Sequence, residues 1–150
     1  MRMADADVLP LDYVSYAREI STYIEAAKHK ASDNGLGSLD FAPAQAAASR
    51  FTAAAQRVHA LQSAPSGDLA ALNLALRQTE AALLSDSGLP GRPWYRHTIY
   101  APGVLTGYAA VVIPGVNEAI DARDHNLAAQ QLTVLTQAID RAAAVLSAAP

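Results

Sequence analysis

Two runs of the chain place side chains in alternating steps of three and four: Leu69, Leu72, Leu76, Thr79 and Leu83, then Leu132, Leu135, Ile139, Ala142 and Leu146. An α-helix turns once every 3.6 residues, so a helix gathers such a series onto one stripe, whereas a strand scatters it over both faces. The spacing recurs at Tyr13, Tyr16, Ala17, Ile20, Ile24 and Ala27, and again at Phe51, Ala54, Val58 and Leu61. Asp12, Asp40 and Asp68 each precede one of these runs, where a carboxylate can accept from the first free amides of a helix. Pro43 falls in a first turn, whose amides have no intrahelical acceptor to lose. The stretch "SDNGLGS" supplies Asn34, Gly35 and Gly37, which tolerate positive φ and let the chain turn. Helices are therefore expected over about 12–32, 42–63, 68–86 and 126–147, with a short one near 115–123.

Two short loops and one long one joining four amphipathic helices predict an all-α fold. The expected architecture is an antiparallel four-helix bundle, or a close variant, with a long ordered loop between helices three and four. Alanine is frequent on the helix faces, so the helices can approach closely, with large side chains interdigitating at intervals. The 150 residues suit one domain spanning 1–150, and no internal repeat is visible.

Composition narrows the partners. Charged residues are 17% of the chain and the net charge is -3, so neither a phosphate backbone nor an anionic membrane has an electrostatic reason to prefer this surface. No apolar run approaches the roughly 20 residues that a membrane helix needs. The absence of cysteine removes disulfides, thiol catalysis and thiolate metal sites.

Four histidines are present, His29, His59, His97 and His125, and two follow a carboxylate by one helical turn: Glu25 with His29, and Asp121 with His125. Two such pairs brought together in a bundle could hold a metal. Glu25 and His29, however, lie off the stripe of Ile20, Ile24 and Ala27, which favours exposed ion pairs over an inward-facing site. No Gly-x-Ser-x-Gly elbow, phosphate loop, dinucleotide fingerprint or His-Glu-x-x-His pair occurs, so no catalytic residue or metal ligand is assigned.

The helical period lapses between Ser87 and Gly115, where Pro90, Pro93, Pro102 and Pro114 fall and short apolar pieces suggest extended or single-turn structure. Arg92, Arg96 and His97 could recognise a carboxylate; equally, the arginines could satisfy backbone carbonyls of a long loop. Trp94, Tyr95 and Tyr100 are expected to anchor this connection to the helices, because aromatics bury the most apolar surface per residue.

Four stretches in order, "ADADVLPLDY", "GLPGRPWYRHTIYAPG", "GYAAVVIPGVNEAI" and "AAAVLSAA", resemble the C-terminal helical dimerisation domain of the glutamate carboxypeptidase II and transferrin receptor family. The resemblance implies a transferrin receptor-like dimerisation domain that pairs with a second copy and packs on a protease-like domain holding two zinc ions. It further implies that the chain is the C-terminal part of a larger, extracellular or periplasmic metallopeptidase-like protein and is not an enzyme by itself. One family loop reaches the substrate pocket with a lysine and a tyrosine. The matching tyrosine is Tyr108, expected to be substrate-binding, while the lysine position is Gly107, which supplies no cation. The alternatives are a self-contained helical adaptor, or a small metal-binding bundle using Glu25, His29, Asp121 and His125.

Overall fold

Carboxylates accept from backbone amides at the heads of all four long helices in the computed structural model, which describes residues 7–104 and 109–150. Asp12 accepts from the Ser15 amide at 2.9 Å to start α1 (Tyr13–Asp33), and Asp68 accepts from Ala71 at 2.9 Å to start α3 (Leu69–Ala82). Asp40 accepts from the Ala42 amide at 3.0 Å at the head of α2 (Ala42–Ser63), beside Pro43 in its first turn. After the strands β1 (Tyr100–Pro102) and β2 (Ala110–Val112) come α4 (Pro114–Asp121) and α5 (His125–Ser147), the latter capped by Asp124 on the Leu127 amide at 2.9 Å. At the far end of α1, Gly35 adopts φ +79°, which lets the Leu36 amide reach back to the Ala31 carbonyl at 2.7 Å and the Gly35 amide to Ser32 at 3.1 Å. That pair of bonds satisfies the last carbonyls of the helix and turns the chain towards α2.

The stripes read from the spacing face inward. Ile20 and Ile24 of α1, Phe51 and Val58 of α2, Leu72 and Leu76 of α3, and Leu135, Ile139 and Leu146 of α5 are all buried in one core. Alanines fill the gaps between them: Ala17, Ala47, Ala55, Ala128 and Ala142 are each almost wholly covered. With so little side chain at those positions, α2 and α5 make the most extensive helix contact in the molecule.

The chain is mostly helical but not purely so. Among the described residues there are five helices and one two-stranded antiparallel pairing, in which Tyr100, Ala101 and Pro102 face Val112, Val111 and Ala110. These are the short extended pieces expected inside the long connection.

Two further features depart from expectation. Arg50 pairs with Asp140 and Arg57 reaches the Ser147 carbonyl, so residue numbers rise together along the neighbours α2 and α5, which run parallel rather than antiparallel. Likewise Asn73 binds the Leu9 amide while Leu76 accepts from the Tyr13 hydroxyl, so α1 and α3 are parallel. The arrangement is therefore α1 beside α2, α2 beside α5 and α5 beside α3. Helix α3 also stops at Ala82, short of residue 86. The Leu83 carbonyl is taken by the Thr98 hydroxyl at 2.7 Å and by the Thr98 amide at 3.2 Å, and the Ser85 amide donates to Arg96 at 2.8 Å. The returning chain supplies partners that a further helical turn would have supplied itself. No helix among the described residues is long and apolar enough to cross a membrane.

Candidate functional site

The connection from Leu83 to Ile113 is held to the helices by hydrogen bonds of its own side chains, and it starts with a tight turn. Gly88 has φ +65°, and a Cβ there would lie 2.2 Å from the Pro93 carbonyl oxygen, so only glycine allows the two strands of this turn to close. The Leu89 amide then donates to Tyr95 and the Arg92 amide to Leu89, each at 2.9 Å.

Arg92 ties that turn to two other elements. Its Nη1 donates to the Pro102 carbonyl of β1 at 2.5 Å and its Nη2 to Glu118 Oε1 of α4 at 2.5 Å, with the guanidinium 5.3 Å from the centre of the Tyr95 ring. Its side chain is only 12% exposed and that of Glu118 25%, so this pair is screened far less than a surface one. Arg96 donates from Nε to the Ser85 carbonyl at 3.1 Å and pairs with Asp86. Both arginines thus satisfy loop carbonyls, and the carboxylates they bind belong to the chain itself.

His97 organises the next step. Its Nδ1 accepts from the Ile99 amide at 3.1 Å and the Tyr100 amide at 3.2 Å, which assigns the proton to Nε2, 2.9 Å from Glu80 Oε1 of α3. Tyr100 then packs between helices: its ring stacks on Tyr16 at 6.1 Å and on His97 at 6.0 Å, and its hydroxyl donates to Glu19 of α1 at 2.9 Å. Burial pushes the Tyr100 hydroxyl above the usual phenol range, helped by its bonds with Tyr23 and Glu19, and burial with nearby Glu80 does the same for Tyr16. Both phenols are neutral, weighing against a role as anionic bases.

The connection ends in a strained residue. Ile113 sits at φ 36°, ψ 57°, a left-handed conformation that a β-branched side chain adopts at a cost of about 1–3 kcal/mol. It is held there by its amide on the Ile99 carbonyl at 2.8 Å, by Val116 and Asn117 amides on its own carbonyl, and by complete burial of its side chain.

Several expectations need correction. Trp94 is 68% exposed and anchors nothing beyond a tilted contact with Tyr95, whereas Tyr100 anchors the connection as expected, beside the buried Ile99 and Thr98. Glu25 and His29 are exposed as expected, yet neither one-turn pair forms an ion bridge. Glu25 accepts from Gln45, Asp121 pairs with Lys30 Nζ at 2.8 Å, and His125 Nε2 lies 3.0 Å from Ser38 Oγ. Contacts across the fold outcompete the local pairs. Among the described residues no three of His, Asp and Glu are grouped to hold a metal. Gly107 and Tyr108 lie outside the described residues; the strands on either side are joined where the Gly103 amide donates to Ala109 at 3.1 Å. The acidic partners Glu19, Glu80 and Glu118 were not singled out from the sequence, because nothing local in their spacing distinguishes them from other surface carboxylates.

Comparison with known proteins adds a family. Residues 39–147 match the model of the transferrin receptor-like dimerisation domain. The chain is 31% identical, over 97% of its length, to a protein of Arthroderma benhamiae named probable glutamate carboxypeptidase, and 33% identical over 81% to one of that name in Arabidopsis thaliana. It spans 21% and 18% of those two proteins. Half of it is 31% identical to a Schizosaccharomyces pombe protein named as an inactive zinc metalloprotease, of which it spans 9%.

Proposed function

Because this chain belongs to the transferrin receptor-like dimerisation domain family, we propose that it works as the single dimerisation and accessory domain of a zinc peptidase similar to the glutamate carboxypeptidases. In this reading its four long helices act as one bundle that pairs with a second copy and packs on a protease-like domain, where the zinc resides. The observation that carries the reading is the family match itself, which runs through α2, α3, α4 and α5. The described residues supply no metal-ligand set, so no chemical step is assigned to them.

The accessory task falls to the hairpin. Arg92, His97 and Tyr100 brace its strands against α4, α3 and α1, which supports a rigid base for the loop bearing Tyr108. There the Tyr108 hydroxyl donates a hydrogen bond to a substrate carboxylate, and Gly107 adds no cation to the same pocket. A bond to a charged group contributes about 1.5–3 kcal/mol. Tyr108→Phe in the full-length peptidase is thus expected to raise KM for a substrate with a free C-terminal carboxylate roughly ten-fold or more, with a smaller change in kcat. An unchanged KM removes Tyr108 from the pocket.

A further inference from the structure

His97 is placed differently from the other three histidines. His29, His59 and His125 are exposed, whereas the His97 side chain is 23% exposed and lies between the connection and α3. Its Nδ1 lone pair is the acceptor for two main-chain amides at the head of β1, those of Ile99 and Tyr100. Ile99 is fully buried, so water is no substitute if that acceptor is withdrawn. Two other features depend on the same short piece of chain. The Ile99 carbonyl accepts from the Ile113 amide at 2.8 Å, which keeps the left-handed backbone of Ile113 in place. The Tyr100 ring lies on the His97 ring, 6.0 Å between centroids and 30° between planes, with its hydroxyl on Glu19 of α1.

We infer that His97 is an acid-operated latch on the hairpin: the neutral ring holds the head of β1, and a proton on Nδ1 releases it. A nitrogen that carries a proton no longer accepts, so Nδ1–H would face the N–H groups of Ile99 and Tyr100 with no acceptor among the three. The ring must then turn, which breaks both bonds and the stack on Tyr100. Its partial exposure lets the proton in without unfolding. The charged and titratable groups around the ring decide where it goes. From α3, Glu80 Oε1 lies 2.9 Å from Nε2 and attracts an imidazolium, so α3 keeps the charged ring while β1 loses it. From α1 come Glu19, a second negative charge, and Tyr16 and Tyr23, all three in contact with Tyr100. On the connection itself, the neighbouring Arg96 is drawn away to the Ser85 carbonyl and Asp86. The strain at Ile113 acts in the same direction as the proton, since it relaxes once Ile99 moves. The closed hairpin is therefore stabilised while the ring is neutral and loses that support as pH falls through the range in which imidazole takes up a proton. Acid control of the loop bearing Tyr108 rests on the reading above; the latch on β1 does not.

Hydrogen–deuterium exchange followed by NMR tests this on the purified chain at about pH 7.5 and about pH 5, with rates corrected for the intrinsic effect of pH. On acidification the amides of Ile99, Tyr100 and Ala101 and those of β2 are expected to exchange about ten-fold faster relative to those of α2 and α5, in step with titration of the His97 ring protons. Two variants separate the roles of the ring nitrogens. His97→Asn puts an oxygen acceptor where Nδ1 was and takes no charge, so its hairpin stays protected at both pH values. His97→Gln keeps a donor for Glu80 but gives up the acceptor, so its hairpin exchanges fast at both. If the hairpin of the unaltered chain stays protected at about pH 5, or if His97→Asn keeps the acid response, the latch is overturned. Tyr108 has no part in these measurements, so their outcome is separate from that of the KM test on Tyr108→Phe.

Discussion

The helical body and the connection between α3 and α4 are held together in different ways. In the body, stability comes from apolar side chains such as Phe51, Leu76 and Ile139, each fully buried and sharing its environment with many neighbours. In the connection, turns and strands depend on particular polar side chains: Arg92 on Pro102 and Glu118, Thr98 on Leu83, His97 on the Ile99 and Tyr100 amides. Burial of apolar area is non-directional and tolerates substitution of like by like, whereas a polar bond is lost when either partner is changed. The body is thus suited to presenting a broad surface, and the connection to holding one loop in place.

The contrast predicts a graded series of effects. Phe51→Ala removes the largest fully buried side chain and is expected to cost about 3–5 kcal/mol in denaturant unfolding, lowering stability throughout the chain. Arg92→Ala leaves Glu118 largely covered without its cation, at a cost of about 2–3 kcal/mol. Its effect is local, so amide exchange should quicken at β1 and β2 well before α2 and α5; uniform quickening would erase the distinction between the regions. Asp12→Ala removes the cap of α1 at about 1 kcal/mol, measurable as a lower Tm. Bonds from Ser15 hold the Asp12 carboxyl below its ordinary value, so this contribution is present above the unfolded pKa near 3.8 and fades as pH falls below it. Trp94→Ser, at an exposed site, should change stability by less than about 0.5 kcal/mol.

Alkaline titration probes both regions at once. Burial, with Glu80 nearby, pushes the Tyr13 hydroxyl up to about 12, and burial also raises Tyr16 in the body and Tyr100 in the connection. A group whose folded pKa is raised stabilises the fold fully below its unfolded value, here 10.0, and loses that contribution as pH climbs through the folded one. Stability should therefore hold to about pH 10 and decline above it, with phenolate absorbance from these rings appearing only as the chain unfolds. Early ionisation of all six tyrosines would contradict the burial of this cluster.

How much of this was legible in the sequence follows the same division. The bounds of α2 match the expected 42–63, and the inward stripes of α3 and α5 are those read from the spacing, because a helical period records burial directly. Parallel packing of α2 on α5 leaves no such record, since a stripe shows which side is buried and not the direction of its neighbour. Within the connection, the short extended pieces and carbonyl-binding arginines were foreseeable from loop length and the need to satisfy the backbone. The partners Glu19, Glu80 and Glu118 lie far from it in sequence, at separations of 81, 17 and 26 residues from Tyr100, His97 and Arg92. Trp94 misled because size measures how much surface a residue can bury, not whether the turn around Gly88 and Pro93 points it inward.

Self-association is the central claim, and sedimentation equilibrium of the unaltered chain from micromolar to millimolar concentration tests it most directly. The account predicts a reversible approach to twice the monomer mass of 15.7 kDa as concentration rises. A mass that stays at the monomer value across the whole range would contradict it.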